Sequence, residues 1–172
     1  MEVRLMVLDV DGVLTDGKLY KSEDGREIKT FHTQDGLGIR FAQANGLDVT
    51  IISGRVSVAV ENRAKELKIE YVYQGIKNKV AVLNRLLSEL SLGLEQVCYI
   101  GDDWNDLPVM NKVGYPCAPA NAVELVKQQA VFVTGRKGGE GAVREVIEHL
   151  LEGKINELSV LRYLEEEAAI VQ

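Results

Sequence analysis

The stretch Val3-Arg4-Leu5-Met6-Val7-Leu8-Asp9-Val10-Asp11-Gly12-Val13-Leu14-Thr15-Asp16-Gly17 decides how the chain is read. Its nearly unbroken apolar run over 3–8 has the pattern of a strand buried on both faces, as parallel sheets produce when crossover helices cover both sides. The run ends abruptly in two carboxylates two residues apart. On an extended backbone, side chains at that spacing point the same way, so Asp9 and Asp11 face one pocket, and Gly12 permits a sharp turn behind them.

Outward from this stretch the pattern repeats. Apolar runs at 49–52, 71–73, 97–100 and 131–133 alternate with helix-period segments at 39–45, 58–67, 79–90, 107–112, 123–128 and 142–151. That rhythm specifies an α/β fold with a doubly wound parallel sheet. Residues 18–31 break it: 18–21 and 26–31 read as two strands joined by Ser22-Glu23-Asp24-Gly25, a β-hairpin protruding after the first strand. Over residues 154–172, Ile155, Leu158, Leu161, Leu164 and Ala168 recur at spacings of three and four with Glu165, Glu166 and Glu167 opposite. This predicts an amphipathic helical tail in need of a partner.

Composition narrows the possibilities. With 172 residues, 46% hydrophobic and 27% charged, the chain fits one ordinary domain over 1–172. A net charge of -6 argues against nucleic acid and anionic membranes, which both reward a basic face. No run approaches the ~18 apolar residues of a membrane span. The N-terminus enters a strand without the basic, apolar and small-residue parts of a secretory signal, so the cytoplasm is the expected location. Cys98 and Cys117 lack CxxC spacing and read as buried, reduced thiols.

Ligands of open α/β sheets bind beyond the carboxyl ends of the strands. Four polar clusters fall there. Asp9 and Asp11 are the first: one carboxylate can attack while the other trades protons. In the second, Ile52-Ser53-Gly54-Arg55, a hydroxyl and backbone N–H groups at a helix N-terminus could hold a phosphoryl oxygen. The third, Lys77-Asn78-Lys79, offers a lysine to neutralise charge, with Lys77 and Lys79 as competing candidates. The fourth, Gly101-Asp102-Asp103-Trp104-Asn105-Asp106, gathers three carboxylates whose repulsion calls for a cation, and magnesium prefers such oxygen ligands.

The ordered set Asp9-x-Asp11-Gly12-x-x-Thr15, Ser53-Gly54, Lys79 and Gly101-Asp102-Asp103-x-x-Asp106 resembles the haloacid dehalogenase superfamily. Within it, the first motif together with Gln34-Asp35-Gly36-Leu37-Gly38-Ile39, Ser53-Gly54-Arg55 and Tyr73-Gln74-Gly75 is similar to the 3-deoxy-D-manno-octulosonate 8-phosphate phosphatase family, over nearly the whole chain through Glu148. The resemblance implies a magnesium-dependent phosphomonoesterase of lipopolysaccharide precursor synthesis, acting through an aspartyl-phosphate on Asp9. Asp11 would protonate the leaving sugar oxygen and then activate water. Ser53, Gly54, Thr15 and Lys79 would hold the phosphoryl group. Magnesium would bind Asp9, the Asp11 main-chain carbonyl and Asp102, supported by Asp103 and Asp106. Arg136 or Lys137, in the loop 135–141, would meet the substrate carboxylate, with Arg55 as another candidate.

Many relatives insert a cap domain after the first or second motif. Here those gaps are roughly 40 and roughly 25 residues, below the ~50 of an independent domain, so no cap is expected. The resemblance implies that the hairpin instead roofs a neighbouring active site in a homotetramer, and an isolated two-stranded hairpin is marginal in water. A nine-carbon sialic-type sugar acid phosphate is the alternative substrate; Arg55 leans towards the eight-carbon acid, because the nine-carbon relatives tend to carry an acid at that place. The loop 135–141 lacks the GxGxxG spacing of a dinucleotide site. A receiver-like phospho-accepting signalling domain shares the topology but places its accepting aspartate after a middle strand, whereas here the acid pair follows the first.

Overall fold

The computed structural model describes residues 2–170, so residues 171 and 172 of the expected tail lie outside it. Among the described residues, eight strands and seven α-helices follow in order: β1 (Leu5–Leu8), β2 (Tyr20–Lys21), β3 (Glu27–Ile28), α1 (Thr33–Ala44), β4 (Asp48–Ile52), α2 (Val58–Glu66), β5 (Tyr71–Tyr73), α3 (Lys79–Leu90), β6 (Val97–Ile100), α4 (Leu107–Met110), β7 (Tyr115–Ala118), α5 (Glu124–Gln129), β8 (Phe132–Val133), α6 (Ala142–Leu150) and α7 (Glu157–Ile170). Six strands form one parallel sheet in the order β5-β4-β1-β6-β7-β8.

Strand periodicity divides the core between the two faces of this sheet. Met6 and Leu8 of β1 pack with Ile39, Phe41 and Ala42 of α1, Val60 and Ala64 of α2 and Val143, Val146 and Ile147 of α6. Leu5 and Val7 point the other way, to Leu83, Leu86 and Leu87 of α3, Val109 and Met110 of α4 and Val126 of α5. All four β1 residues are therefore fully buried, which is why the run carries no polar alternation.

The winding positions the site. From β1 the chain moves outward through β4 to β5, then returns to β6 on the other side of β1. Connections leaving β1 and β6 thus part in opposite directions, and such a switch point opens a crevice at the strand ends. The Asp9 amide donates to the Ile100 carbonyl at 3.1 Å, joining the two strand ends that carry the acidic motifs.

Four expectations need correction. Strand β7 is missing from the alternating runs, although Cys117 stands among apolar residues that read as a strand; a proline in a short run weakens such a pattern, yet Pro116 pairs, its carbonyl accepting the Val131 amide at 2.8 Å. Helix α1 begins at Thr33 rather than 39, its first turns masked by Gly36 and Gly38. The hairpin ladder is limited to Tyr20 with Ile28 and Lys21 with Glu27, far less than 18–31. The tail is helical only from Glu157, and it finds its partner in its own chain: Tyr163 stands edge-on to Phe41, ring centroids 5.4 Å apart, and Arg40 Nη2 donates to both Glu167 carboxylate oxygens at 2.8 and 2.9 Å. Among the described residues no helix is long and apolar enough to cross a membrane.

Candidate active site

Asp9 leaves the end of β1 into a nearly closed environment, 5% exposed. Facing it is Lys79, the first residue of α3. Asn78 caps that helix, its side chain accepting the Ala81 amide at 3.0 Å, and so fixes the turn from which Lys79 projects inward. The Lys79 ammonium lies 3.1 Å from Asp9 Oδ2 and 2.7 Å from Asp106 Oδ1. Lys77, by contrast, is exposed. Burial alone would push the Lys79 pKa down, but Asp9 and Asp106 together hold it above the ordinary lysine value, so it stays a cation.

Asp106 is the organiser of the second acidic loop. Its Oδ1 accepts from Lys79 and from the Tyr99 hydroxyl at 2.6 Å, and its Oδ2 accepts the amides of Asp102 and Asp103 at 2.9 and 3.2 Å. Asp103 caps the short turn that follows, accepting the Trp104 amide at 2.8 Å. The fully buried Asp106 is thereby saturated, while Asp102 is left facing Asp9.

Asp9, Asp102 and Asp106 each offer a carboxylate oxygen, all within 4.8 Å of one another. The crowding is felt electrostatically. Burial and then Asp106 raise Asp9 to about 6 against the pull of Lys79. Burial, then Asp106, Asp9 and Asp103, raise Asp102 to about 8. Carboxylates pushed this far up are relieved by a divalent cation, and an all-oxygen donor set suits magnesium. Because Asp106 already accepts four hydrogen bonds, Asp9 and Asp102 are the carboxylates free to ligate. Gly12 keeps the two loops close: its φ is +86°, and a Cβ there would stand 1.9 Å from Asp102 Oδ2.

Above this floor lies a cleft of about 190 Å³ lined by Asp9, Asp11, Gly17, Ser53, Gly54, Arg55, Asp102, Asp103 and Asn105. Ser53 is buried and its backbone is locked to β5, its amide donating to the Tyr73 carbonyl at 2.9 Å. Asp11 is held by Lys29, which reaches back from just beyond β3, and lies 3.6 Å from Arg55 Nε.

Comparison with known proteins assigns the chain to a family. The haloacid dehalogenase-like hydrolase profile matches residues 72–147. The 3-deoxy-D-manno-octulosonate 8-phosphate phosphatase KdsC of Escherichia coli K12 is 46% identical over 157 residues, covering 90% of this chain and 84% of the relative. The chain belongs to the haloacid dehalogenase-like hydrolases. Crystal structures of two such hydrolases share its fold. The 3-deoxy-D-manno-octulosonate 8-phosphate phosphatase of Yersinia pestis is 46% identical, with a TM-score of 0.85 over 87% of this chain and 80% of that one. The Moraxella catarrhalis enzyme, in complex with magnesium, phosphate and the sugar acid, is 35% identical, with a TM-score of 0.85 over 99% and 94%.

Around one cleft the structure gathers Asp9, Asp11, Ser53, Gly54, Arg55, Lys79 and Asp102. Three expected contributors lie elsewhere. Thr15 is buried, its hydroxyl donating to the Val10 carbonyl at 3.4 Å and accepting the Gly17 amide at 3.3 Å, so it shapes the turn rather than facing the cleft. Arg136 is exposed and donates to Gln34 Oε1 at 2.6 Å; neither it nor the exposed Lys137 lines the cleft. Their loop contributes backbone instead. Asn121 bridges it to the first motif, donating to the Gly12 carbonyl at 2.9 Å and accepting the Gly138 amide at 2.6 Å. Ser53 and Gly54 also precede α2 by several residues, so their amides belong to a loop and not to a helix N-terminus. The sequence reading missed Tyr99, Lys29, Glu27 and Asn121. Only Tyr99, a hydroxyl inside an apolar strand, carried a signal.

Proposed function

We propose that the chain is a magnesium-dependent phosphatase that hydrolyses 3-deoxy-D-manno-octulosonate 8-phosphate to the free sugar acid and phosphate. The observation that carries this reading is a buried Asp9 facing the Lys79 ammonium at 3.1 Å, on the floor of a cleft shared with Asp11, Ser53 and Asp102.

Chemically, an Asp9 carboxylate oxygen attacks phosphorus and the bond from phosphorus to the sugar oxygen breaks. Asp11, two residues on and facing the same cleft, gives its proton to that leaving oxygen. Asp11 then takes a proton from water, whose oxygen attacks the aspartyl-phosphate, and phosphate departs as the Asp9–phosphorus bond breaks. Lys79 neutralises charge on Asp9 and on the phosphoryl oxygens, and Asp106 and Tyr99 fix where its ammonium points. Ser53 and the Gly54 amide receive the phosphoryl group from the opposite wall. Asp9, Asp102 and the Asp11 main-chain carbonyl would hold magnesium, which would supply further neutralisation of the transferring group.

Phosphate release from a panel of sugar acid phosphates, with Asp9→Asn as control, tests the reading. The eight-carbon acid is expected to be preferred over nine-carbon acids and neutral sugar phosphates, and Asp9→Asn to lose activity while keeping its fold. Equal turnover of unrelated phosphates sinks the substrate assignment.

The assembly belongs to the same proposal. A single domain over 1–172 forms a homotetramer in the cytoplasm, with residues 18–31 covering a neighbouring site. Exposed Tyr20 and Ile28 on the short ladder, with Leu19 just before it, support it, since a two-stranded hairpin with an apolar surface is marginal on its own.

A further inference from the structure

The base of the hairpin places two charged side chains at the edge of the cleft. The Lys29 side chain is only 3% exposed, and an ammonium so buried needs opposite charge; it meets Asp11 and Glu27. Arg55, on the cleft wall, binds Glu27 through Nη2 and approaches Asp11 through Nε. Two cations thus hold two carboxylates. Asp11 faces the reacting phosphate, whereas Glu27, on β3, has no part in the proton transfers.

We propose that Glu27 is an internal placeholder for the substrate carboxylate: it occupies the Arg55 and Lys29 cations in the free enzyme and is displaced by a sugar acid. The inference rests on the reading of the substrate as a sugar acid phosphate. Glu27 is only partly satisfied where it stands. Its Oε1 lies 3.1 Å from the Lys29 ammonium, yet among the described residues it accepts no well-aligned hydrogen bond. The Lys29 ammonium beside it keeps Glu27 below the usual carboxylate range, so it is ionised and a fair mimic of a sugar acid carboxylate. Arg55 also lines the same cleft as Asp9 and Ser53, so a molecule with phosphate at one end and carboxylate at the other can engage both at once.

The consequence is selectivity. A phosphate ester with a carboxylate exchanges one ion pair for another, whereas an ester without one leaves Glu27 in place. A site whose competent state is only partly populated binds with proportionally lower apparent affinity. Removing the placeholder therefore favours the acid.

The test compares kcat/KM for 3-deoxy-D-manno-octulosonate 8-phosphate and for p-nitrophenyl phosphate, which carries no carboxylate, in the wild type, Glu27→Gln and Glu27→Asp. Both variants are expected to move the ratio towards the sugar acid by about tenfold, through KM. Glu27→Asp keeps the charge but withdraws the carboxylate, so it separates reach from simple electrostatics. An unchanged ratio in both variants, a ratio moved the other way, or a shift with Gln alone overturns the placeholder. A wild type with no preference between the two substrates overturns the substrate reading instead.

Discussion

Lys79 is where sequence position, burial and chemistry meet in one atom. Its ammonium is the only cation within salt-bridge distance of the buried Asp9 and Asp106 among the described residues. Removing one partner of a buried ion pair leaves uncompensated charge and costs about 3–5 kcal/mol. Lys79→Met is therefore expected to lower stability by that order in denaturant unfolding and phosphate release by about a hundredfold or more; native stability in this variant would contradict the geometry. Asp102 gives a second test. Its pKa rises from 3.8 to about 8 in the folded chain, burial being the largest cause. A raised value means that the folded state holds the proton more tightly than the unfolded state. The resulting stability is complete below 3.8 and is lost as pH climbs through about 8. Asp9, raised to about 6, acts in the same direction. In chelator the melting temperature should fall across that interval. Magnesium, which replaces those protons, should restore it, so its stabilising effect widens with pH. A metal-free protein that grows more stable towards pH 8 would contradict this.

At the scale of elements, α1 shows why propensity misleads. Gly36 and Gly38 argue against a helix, so its visible periodicity starts only at 39. The glycines are there for packing. A Cβ on Gly38 would stand 2.8 Å from Arg144 Cδ and 3.3 Å from Ile147 Cδ1, so the bare backbone lets α1 lie directly on α6. Gly38→Ala gains about 1 kcal/mol of helix propensity but meets an overpacking cost of about 1–3 kcal/mol. Net destabilisation in equilibrium unfolding is expected, and stabilisation would show that α6 yields freely. Helix α7 was legible from its apolar spacing, whereas its partner was not, because Phe41 and Arg40 lie far away in sequence. Its anchor is aromatic rather than ionic. Tyr163→Ala, which removes a buried ring, should cost about 3 kcal/mol or more, whereas Glu167→Ala breaks a surface pair worth at most about 1 kcal/mol. Comparable losses in the two variants would reverse that ranking.

Over the whole molecule, the legible features were those set by strand ends. Asp9, Ser53, Lys79 and Asp102 all follow apolar runs or open a helix, and a doubly wound sheet must bring such points together. Lys29, Glu27 and Asn121 were hidden because their roles arise from chain segments folding across one another, which no local pattern records. The same limit applies to the hairpin, whose two-residue ladder is too short to stand by its own pairing. Leu19 is 52% exposed, Tyr20 41% and Ile28 57%, an apolar surface open to solvent. If the proposed tetramer buries it, Leu19→Ser combined with Ile28→Ser should lower the mass measured by light scattering below four chains. Circular dichroism should be unchanged, because neither side chain belongs to the core. KM for the sugar acid phosphate should rise as the neighbouring roof is lost, while Asp9 and Lys79 keep their places. A wild type that runs as a monomer at full activity overturns the shared-site assembly, since each cleft would then select its substrate unaided.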